Sequence, residues 1–243
     1  CENADGTLFV TLNDSTLEDG AACSGVVNGT SFVGTVKRLS FDAVVIGTGD
    51  RETPKNQSVK NWFYMYKDRY IATGSIPDAF TPVRHDDSQL GDVSDDCLQT
   101  GTCAVGSTPD LTKGWKMRLH CQQGTIDNTC GEKSLSSPLT LSGTIFFTTY
   151  IPPGEGGTTC SLPEGTGLLY AVSLQNAYAV EDFYAGNSTI LAKQDRTSAL
   201  TSGGIPAEVV SLGGDKVLRP DLKVEQTGSQ AGLKTFWYEK FFK

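Results

Sequence analysis

The stretch Val44–Arg69, "VVIGTGDRETPKNQSVKNWFYMYKDR", decides how the rest of the chain is read. Its first half is an apolar run that stops in an acidic turn bracketed by Gly47 and Gly49, the pattern of a buried strand. Its second half is an aromatic strand from Trp62 to Tyr66 that ends in charge at Lys67, Asp68 and Arg69. A charged turn after a buried strand caps that strand and forms local ion pairs. Asp50, Arg51 and Glu52 are therefore expected to pair with Lys67, Asp68 and Arg69.

The unit recurs. "AVVIGTGD" followed by "NWFYMYKD" is matched in pattern by "TIFFTTYI" followed by "GLLYAVSL", with Tyr64 aligned to Tyr170. Each unit exposes an apolar sheet face unless a neighbour covers it, which is the logic of β-propeller blades. Strands are expected at 6–12, 31–41, 43–48, 61–67, 115–120, 138–150, 167–174, 189–194, 207–212 and 235–242, with almost no helix. Gly, Ser and Thr are abundant, aromatics are spread evenly, and no sustained helical apolar stripe occurs.

The 243 residues can hold one all-β domain or two smaller ones. One is expected: a β-propeller domain of quinoprotein-like blades over 1–243, or the C-terminal part of one. A blade needs about 40 to 50 residues. Because only three or four blades' worth of strands is visible and the chain opens on Cys1, it is expected to be a processed product or a piece of a longer polypeptide. Segment 71–114, polar, acidic and punctuated by Gly and Pro, is expected to be a long insertion loop, and 213–234 a second loop. Trp62, Trp115, Trp237, Tyr64, Phe146, Phe147 and Tyr170 are expected to pack between blades.

A net charge of −8 argues against direct binding of nucleic acid, which needs a basic stripe to displace counterions. No run of eighteen apolar residues crosses a bilayer. Seven cysteines point to an oxidising compartment, and two pairs close short polar loops: Cys97 with Cys103 and Cys121 with Cys130. Zinc would use His120 and Cys121 with Cys97, Cys103 or Cys130, but no C-x-x-C or H-x-x-x-H spacing supports it, and disulfides are the expectation. His85 and His120 lie in different segments, so no nucleophile with a base is apparent and no enzyme is expected. The acidic group Asp86, Asp87, Asp92, Asp95 and Asp96 lacks the alternate spacing and central glycine of a calcium loop and is read as solvated.

"GTGDRE" at 47–52 with "FYMYKDR" at 63–69, "GWKMRL" at 114–119, "GEKSLSSPLTLSGTIFFTTYIP" at 131–152, Cys160, "GLLYAVSL" at 167–174, "GGIP" at 203–206 and a closing "FWY" strand resemble the C-terminal β-propeller of the PilC/PilY family of type IV pilus tip-associated proteins. The match runs roughly from residue 35 to 243, in order. The resemblance implies a secreted bacterial protein, exported through the periplasm, that sits at the pilus tip on minor pilins. It would promote pilus assembly, adhesion to host-cell or abiotic surfaces, and twitching motility. Members commonly carry a D-x-D-x-D-G calcium loop ahead of the segment resembling "GTGDRE", and no such loop stands in this chain, so calcium is expected only in upstream sequence and no cofactor here. The expected partner-binding surface is the 71–114 insertion, with Arg84, His85, Asp86, Asp87 and Asp92 as contact residues. Two other readings stand beside this one. A quinone-dependent dehydrogenase would share the blade pattern, although the adjacent Cys-Cys pair of those enzymes is absent. A purely structural pilus cap would bind no receptor.

Overall fold

The structure, a computed structural model, describes residues 20–27, 30–36, 41–68, 87–104, 106–121, 130–154, 164–183, 191–214 and 216–226. In chain order its strands are β1 (Ala22–Val27), β2 (Thr30–Thr35), β3 (Asp42–Gly47), β4 (Asn61–Asp68), β5 (Gly91–Asp92), β6 (Gly114–Leu119), β7 (Lys133–Ser134), β8 (Leu139–Leu141), β9 (Thr144–Ile151), β10 (Thr166–Ser173), β11 (Thr197–Gly203), β12 (Val210–Gly213), β13 (Lys216–Leu218) and β14 (Val224–Gln226). Helix is confined to α1 (Cys97–Thr100) and to 3-10 turns at Asp87–Gln89 and Lys193–Arg196. The protein is all-β, as expected, but no closed ring of blades is seen among the described residues. They form a β1-β2 hairpin, a sheet in the order β3-β4-β6-β5, a sheet in the order β11-β10-β9-β7 with β8 also on β9, and a β12-β13-β14 meander. Among the described residues no helix is long and apolar enough to cross a membrane.

Two hairpins organise the core. In β4 the alternation is clean: Asn61, Phe63, Met65 and Lys67 are buried while Trp62, Tyr64 and Tyr66 are half-buried. Strands β9 and β10 are instead buried on both faces, because "TIFFTTYI" and "TGLLYAVS" place apolar residues at successive positions. One face, with Ile145, Phe147, Leu168, Tyr170 and Val172, packs on Phe63, Met65, Trp115 and Met117. The opposite face, with Phe146, Leu169 and Ala171, meets Leu200, Val209 and Val217. The Phe63 and Phe147 rings are stacked at 3.7 Å between centroids, and Phe147 lies 4.5 Å from Tyr170 at an interplanar angle of 12°.

Several expectations are corrected. The strand expected at 138–150 is a hairpin, β8 turning into β9 through Ser142 and Gly143, both at positive φ as a tight two-residue turn requires. Residues 191–194 are not strand: the chain makes a 3-10 turn there and pairs only from Thr197. The expected loop at 213–234 holds β13 and β14, anchored by buried Arg219, which donates to Asp221, Glu225 and Ser198. The expected strand at 31–41 ends at Thr35, and its partner β1 was not anticipated. Tyr64 is half-buried and points away from the aromatic stack, its register partners being Ile46 and Lys116. The insertion is not peripheral over 87–113: β5 pairs with β6, and Leu90, Val93 and Leu111 are buried in the core. Its polar look came from aspartates that fold back on their own backbone. The strands expected at 6–12 and 235–242, and Trp237, lie outside the described residues.

Truncating Phe147 should remove the centre of the stack. Phe147→Ala is expected to cost about 3–5 kcal/mol, whereas Val44→Ala on a half-exposed strand should stay within about 0.5 kcal/mol; denaturant midpoints compare the two.

Candidate functional site

The "GTGD" turn is a seam between two sheets. A Cβ at Gly47 would collide with the Ser134 side chain, and one at Gly49 would crowd Lys133. Gly131, at a φ of +69°, would collide with the Asn56 carbonyl if it carried a side chain. The glycines thus permit close approach of "GEKS" (131–134) to the first hairpin. Across the seam the Ser134 N–H donates to the Thr48 carbonyl (3.1 Å), Asn61 Nδ2 to the Glu132 carbonyl (2.7 Å) and Arg51 Nη2 to the Leu135 carbonyl (2.7 Å). Buried Lys133 donates through Nζ to the carbonyls of Asn56 (2.5 Å) and Gly131 (2.8 Å). Burial pulls its pKa below the ordinary lysine value, and the Asp50 charge opposes that shift.

The expected charge pairing across the hairpin is not made. Gly47 stands opposite Phe63, whereas Asp42 stands opposite Asp68, so residues 50–52 and 67–69 lie at opposite ends of the ladder. At about 3.4 Å per residue that separation is roughly 17 Å. Asp50 instead caps its own turn, accepting from the Glu52 N–H (2.9 Å), the Thr53 N–H (3.4 Å) and the Thr53 hydroxyl. The Thr53 hydroxyl, followed by the Glu52 N–H, holds its carboxyl below the usual range. Lys67 is buried and donates to the Leu111 carbonyl (3.0 Å), its Nζ 5.3 Å from the Phe41 ring centroid. Arg69 lies outside the described residues.

The sequence did not single out Glu132, which is buried at the centre of this seam. Its Oε1 accepts from Thr149 Oγ1 (2.6 Å) and the Tyr170 hydroxyl (2.8 Å), and its Oε2 from the Cys121 N–H (2.5 Å). Burial, and then the Glu132 charge, push the Tyr170 hydroxyl well above the ordinary tyrosine value. Cys121 has a φ of 61°, so its N–H is held in a left-handed turn by a buried carboxylate. Sequence offers no signal for this role because a buried Glu reads like a surface one.

Cys97 and Cys103 are disulfide-bonded, closing α1, with Cα atoms 4.5 Å apart. Cys121 and Cys130 also face each other as a disulfide pair, and Cys23 is disulfide-bonded. Ligand atoms of Cys121, Cys130 and Glu132 lie within 4.8 Å of one another. His120, the other ligand of the zinc alternative, instead places Nδ1 on the Arg118 carbonyl (2.9 Å).

The acidic residues do not converge. Asp92 caps Ser94 through its N–H (2.9 Å) and hydroxyl (2.6 Å), Asp95 accepts from the Asp96 N–H (2.7 Å), and Asp96 accepts from the Lys193 N–H (3.0 Å). This donor set does not fit a calcium ion, which needs several carboxylates turned inward. Asp87 starts a 3-10 turn; Arg84, His85 and Asp86 lie outside the described residues. Asp92 and Gln89 face Asp110 and Lys113 across a pocket of about 320 Å³, with Lys113 Nζ donating to Gln89 Oε1 (2.7 Å).

Fold and seam together define an all-β protein of small sheets held by an aromatic stack and a glycine-lined joint. No family model and no curated protein matches the sequence. Among solved structures the chain is similar to the C-terminal domain of PilY1 from Pseudomonas aeruginosa, with a TM-score of 0.50 and 11% sequence identity, over 85% of this chain and 47% of that one. The chain therefore spans about half the length of that structure, and the likeness is one of fold.

The seam can be tested at its glycines. Gly47→Ala is expected to destabilise by about 1–3 kcal/mol, because overpacking forces neighbours off their minima. Gly154→Ala, with open space around it, should change stability by less than about 0.5 kcal/mol; thermal melting separates them.

Proposed function

We propose that this chain is a non-catalytic component of a type IV pilus tip that promotes pilus assembly, surface or host-cell adhesion and twitching motility. The observation that carries the reading is the fold shared with the PilY1 C-terminal domain over 85% of the chain. The motif order from "GTGDRE" to "GGIP" supports it from the sequence.

The finer architecture proposed is a run of propeller blades, with the β3-β4-β6-β5 sheet as one blade and the β9-β10 sheet as the next. Two features support it. Tyr170 faces the preceding sheet, whereas Tyr64 points away from the following one. The aligned tyrosines therefore occupy equivalent places in a repeating stack. The outer face carrying Tyr64 also presents Val44 and Ile46, each 53% exposed, where a further blade would lie. On this reading the partners are minor pilins and, at the tip, host-cell or abiotic surfaces. The location is extracellular after export through the periplasm. Calcium would be bound by upstream sequence, and this chain would need no cofactor of its own. The contact surface is the described part of the insertion from Asp87 to Asp92, with the pocket shared by Asp110 and Lys113.

Removing the domain from its bacterium should reduce surface pili, attachment and twitching together; unchanged piliation and attachment would overturn the proposal. Loss of piliation with receptor-independent attachment intact would favour the purely structural cap. Quinone absorbance in the purified full-length protein would favour the dehydrogenase reading. Lys113→Glu, which reverses charge at the pocket, is expected to weaken minor-pilin binding about tenfold without shifting the melting temperature; unchanged binding would remove the pocket from the interface.

A further inference from the structure

Where the end of β6 meets the 3-10 turn Lys193–Arg196 and Tyr170, the protein encloses a cavity of about 20 Å³. That is room for about one water-sized occupant. Arg118, His120, Lys193 and Arg196 all line it, and among the described residues no carboxylate does. The wall is cationic on several sides.

Two of these groups are left incompletely satisfied. Arg196, 3% exposed, donates through Nη1 to the Val93 carbonyl (2.8 Å) and through Nη2 to the Asp95 carbonyl (3.2 Å), while its Nε has no hydrogen-bond partner. Its acceptors are carbonyls, so the guanidinium is buried with no carboxylate hydrogen-bonded to it. Burial lowers its pKa to about 10, even though Asp96, Tyr170 and Asp95 push the other way. His120, 9% exposed, places Nδ1 on the Arg118 carbonyl (2.9 Å), and its Nε2 has no partner. A carbonyl only accepts, so the ring proton sits on Nδ1, and the neutral ring leaves a lone pair at Nε2. A buried cation without a counter-charge is costly, and a small anion is the occupant that offsets it.

We propose that this cavity binds a small monovalent anion, a halide or the head of a carboxylate, beside Arg196 and Lys193, with His120 taking up a proton at Nε2 to donate to it. Water fits the space but supplies no charge. Sulfate and phosphate exceed it. The charged and titratable groups around His120 are Arg118 from β6, Tyr170 from β10, and Lys193 and Arg196 from the 3-10 turn, with Glu132 held beyond at the Cys121 N–H. Apart from Glu132 and the neutral Tyr170 hydroxyl these are cationic, so the anion and the imidazolium stabilise each other, and binding tightens as pH falls. The inference does not rest on the pilus reading.

The test is thermal melting of the 243-residue chain in sodium chloride, bromide or formate, against sodium methanesulfonate at equal ionic strength. A halide or formate should raise the melting temperature by at least about 2 °C over methanesulfonate, and more at about pH 6 than at about pH 8. A shift with halides alone assigns a halide site; a shift with formate alone assigns a carboxylate site. Lys193→Gln, at the half-buried rim, should need about tenfold more anion for the same shift, and Lys193→Arg should restore it. Crystals grown in bromide should show anomalous scattering between Arg196 and His120 if the site takes halides. Equal melting in all four salts would overturn the proposal, as would a Lys193→Gln response identical to that of the unsubstituted protein.

Discussion

Phe63 lies flat on Phe147, and Phe147 on Tyr170, and the rest of the molecule is arranged around that stack. It exists because β9 and β10 are apolar on both faces and cannot face water on either. One face takes the β3-β4-β6-β5 sheet, and the other takes Leu200, Val209 and Val217. Each covering element is then fixed in place. Trp115 reaches across to donate its ring N–H to the Leu174 carbonyl (2.9 Å), so even the indole is satisfied within the joint.

Closing two sheets around an aromatic stack brings their loop ends together, and this explains the glycines of the opening motif. Gly47, Gly49 and Gly131 have no room for side chains because Ser134, Lys133 and Asn56 occupy that space. The same closure buries two charges, Lys133 and Glu132. Both are tolerated because each is surrounded by partners of the right kind: carbonyls for the ammonium, and a hydroxyl, a phenol and an N–H for the carboxylate. Arg196 is the contrasting case, with carbonyl acceptors for two nitrogens and none for the third.

The likeness to the PilY1 C-terminal domain is one of fold at 11% identity, and it covers about half of that chain. It fits a core that was built by repetition. A blade-like unit needs only an apolar face towards each neighbour and a turn that permits contact, so sequence can drift far while the architecture stays. The half-exposed Val44 and Ile46 face marks where the repetition stops among the described residues.

Local pattern alone determined the all-β class, the β3–β4 and β9–β10 hairpins, and the pairing of Cys97 with Cys103, because each depends on residues near one another in the chain. The burial of Phe147 and Tyr170 was equally legible, since strands apolar on successive residues must be covered twice. Tertiary structure decided the rest. The charges at 50–52 and 67–69 looked like partners until register put them at opposite ends of the ladder. The acidic insertion looked solvated until Leu90, Val93 and Leu111, irregularly spaced, turned inward together. Strands of two or three residues, such as β5, β7 and β13, carry too short a pattern to read and exist because a longer neighbour offers them hydrogen bonds. Glu132 and Arg196 are ordinary surface residues by composition; only the meeting of distant segments buries them, and burial is what gives a charge its chemistry.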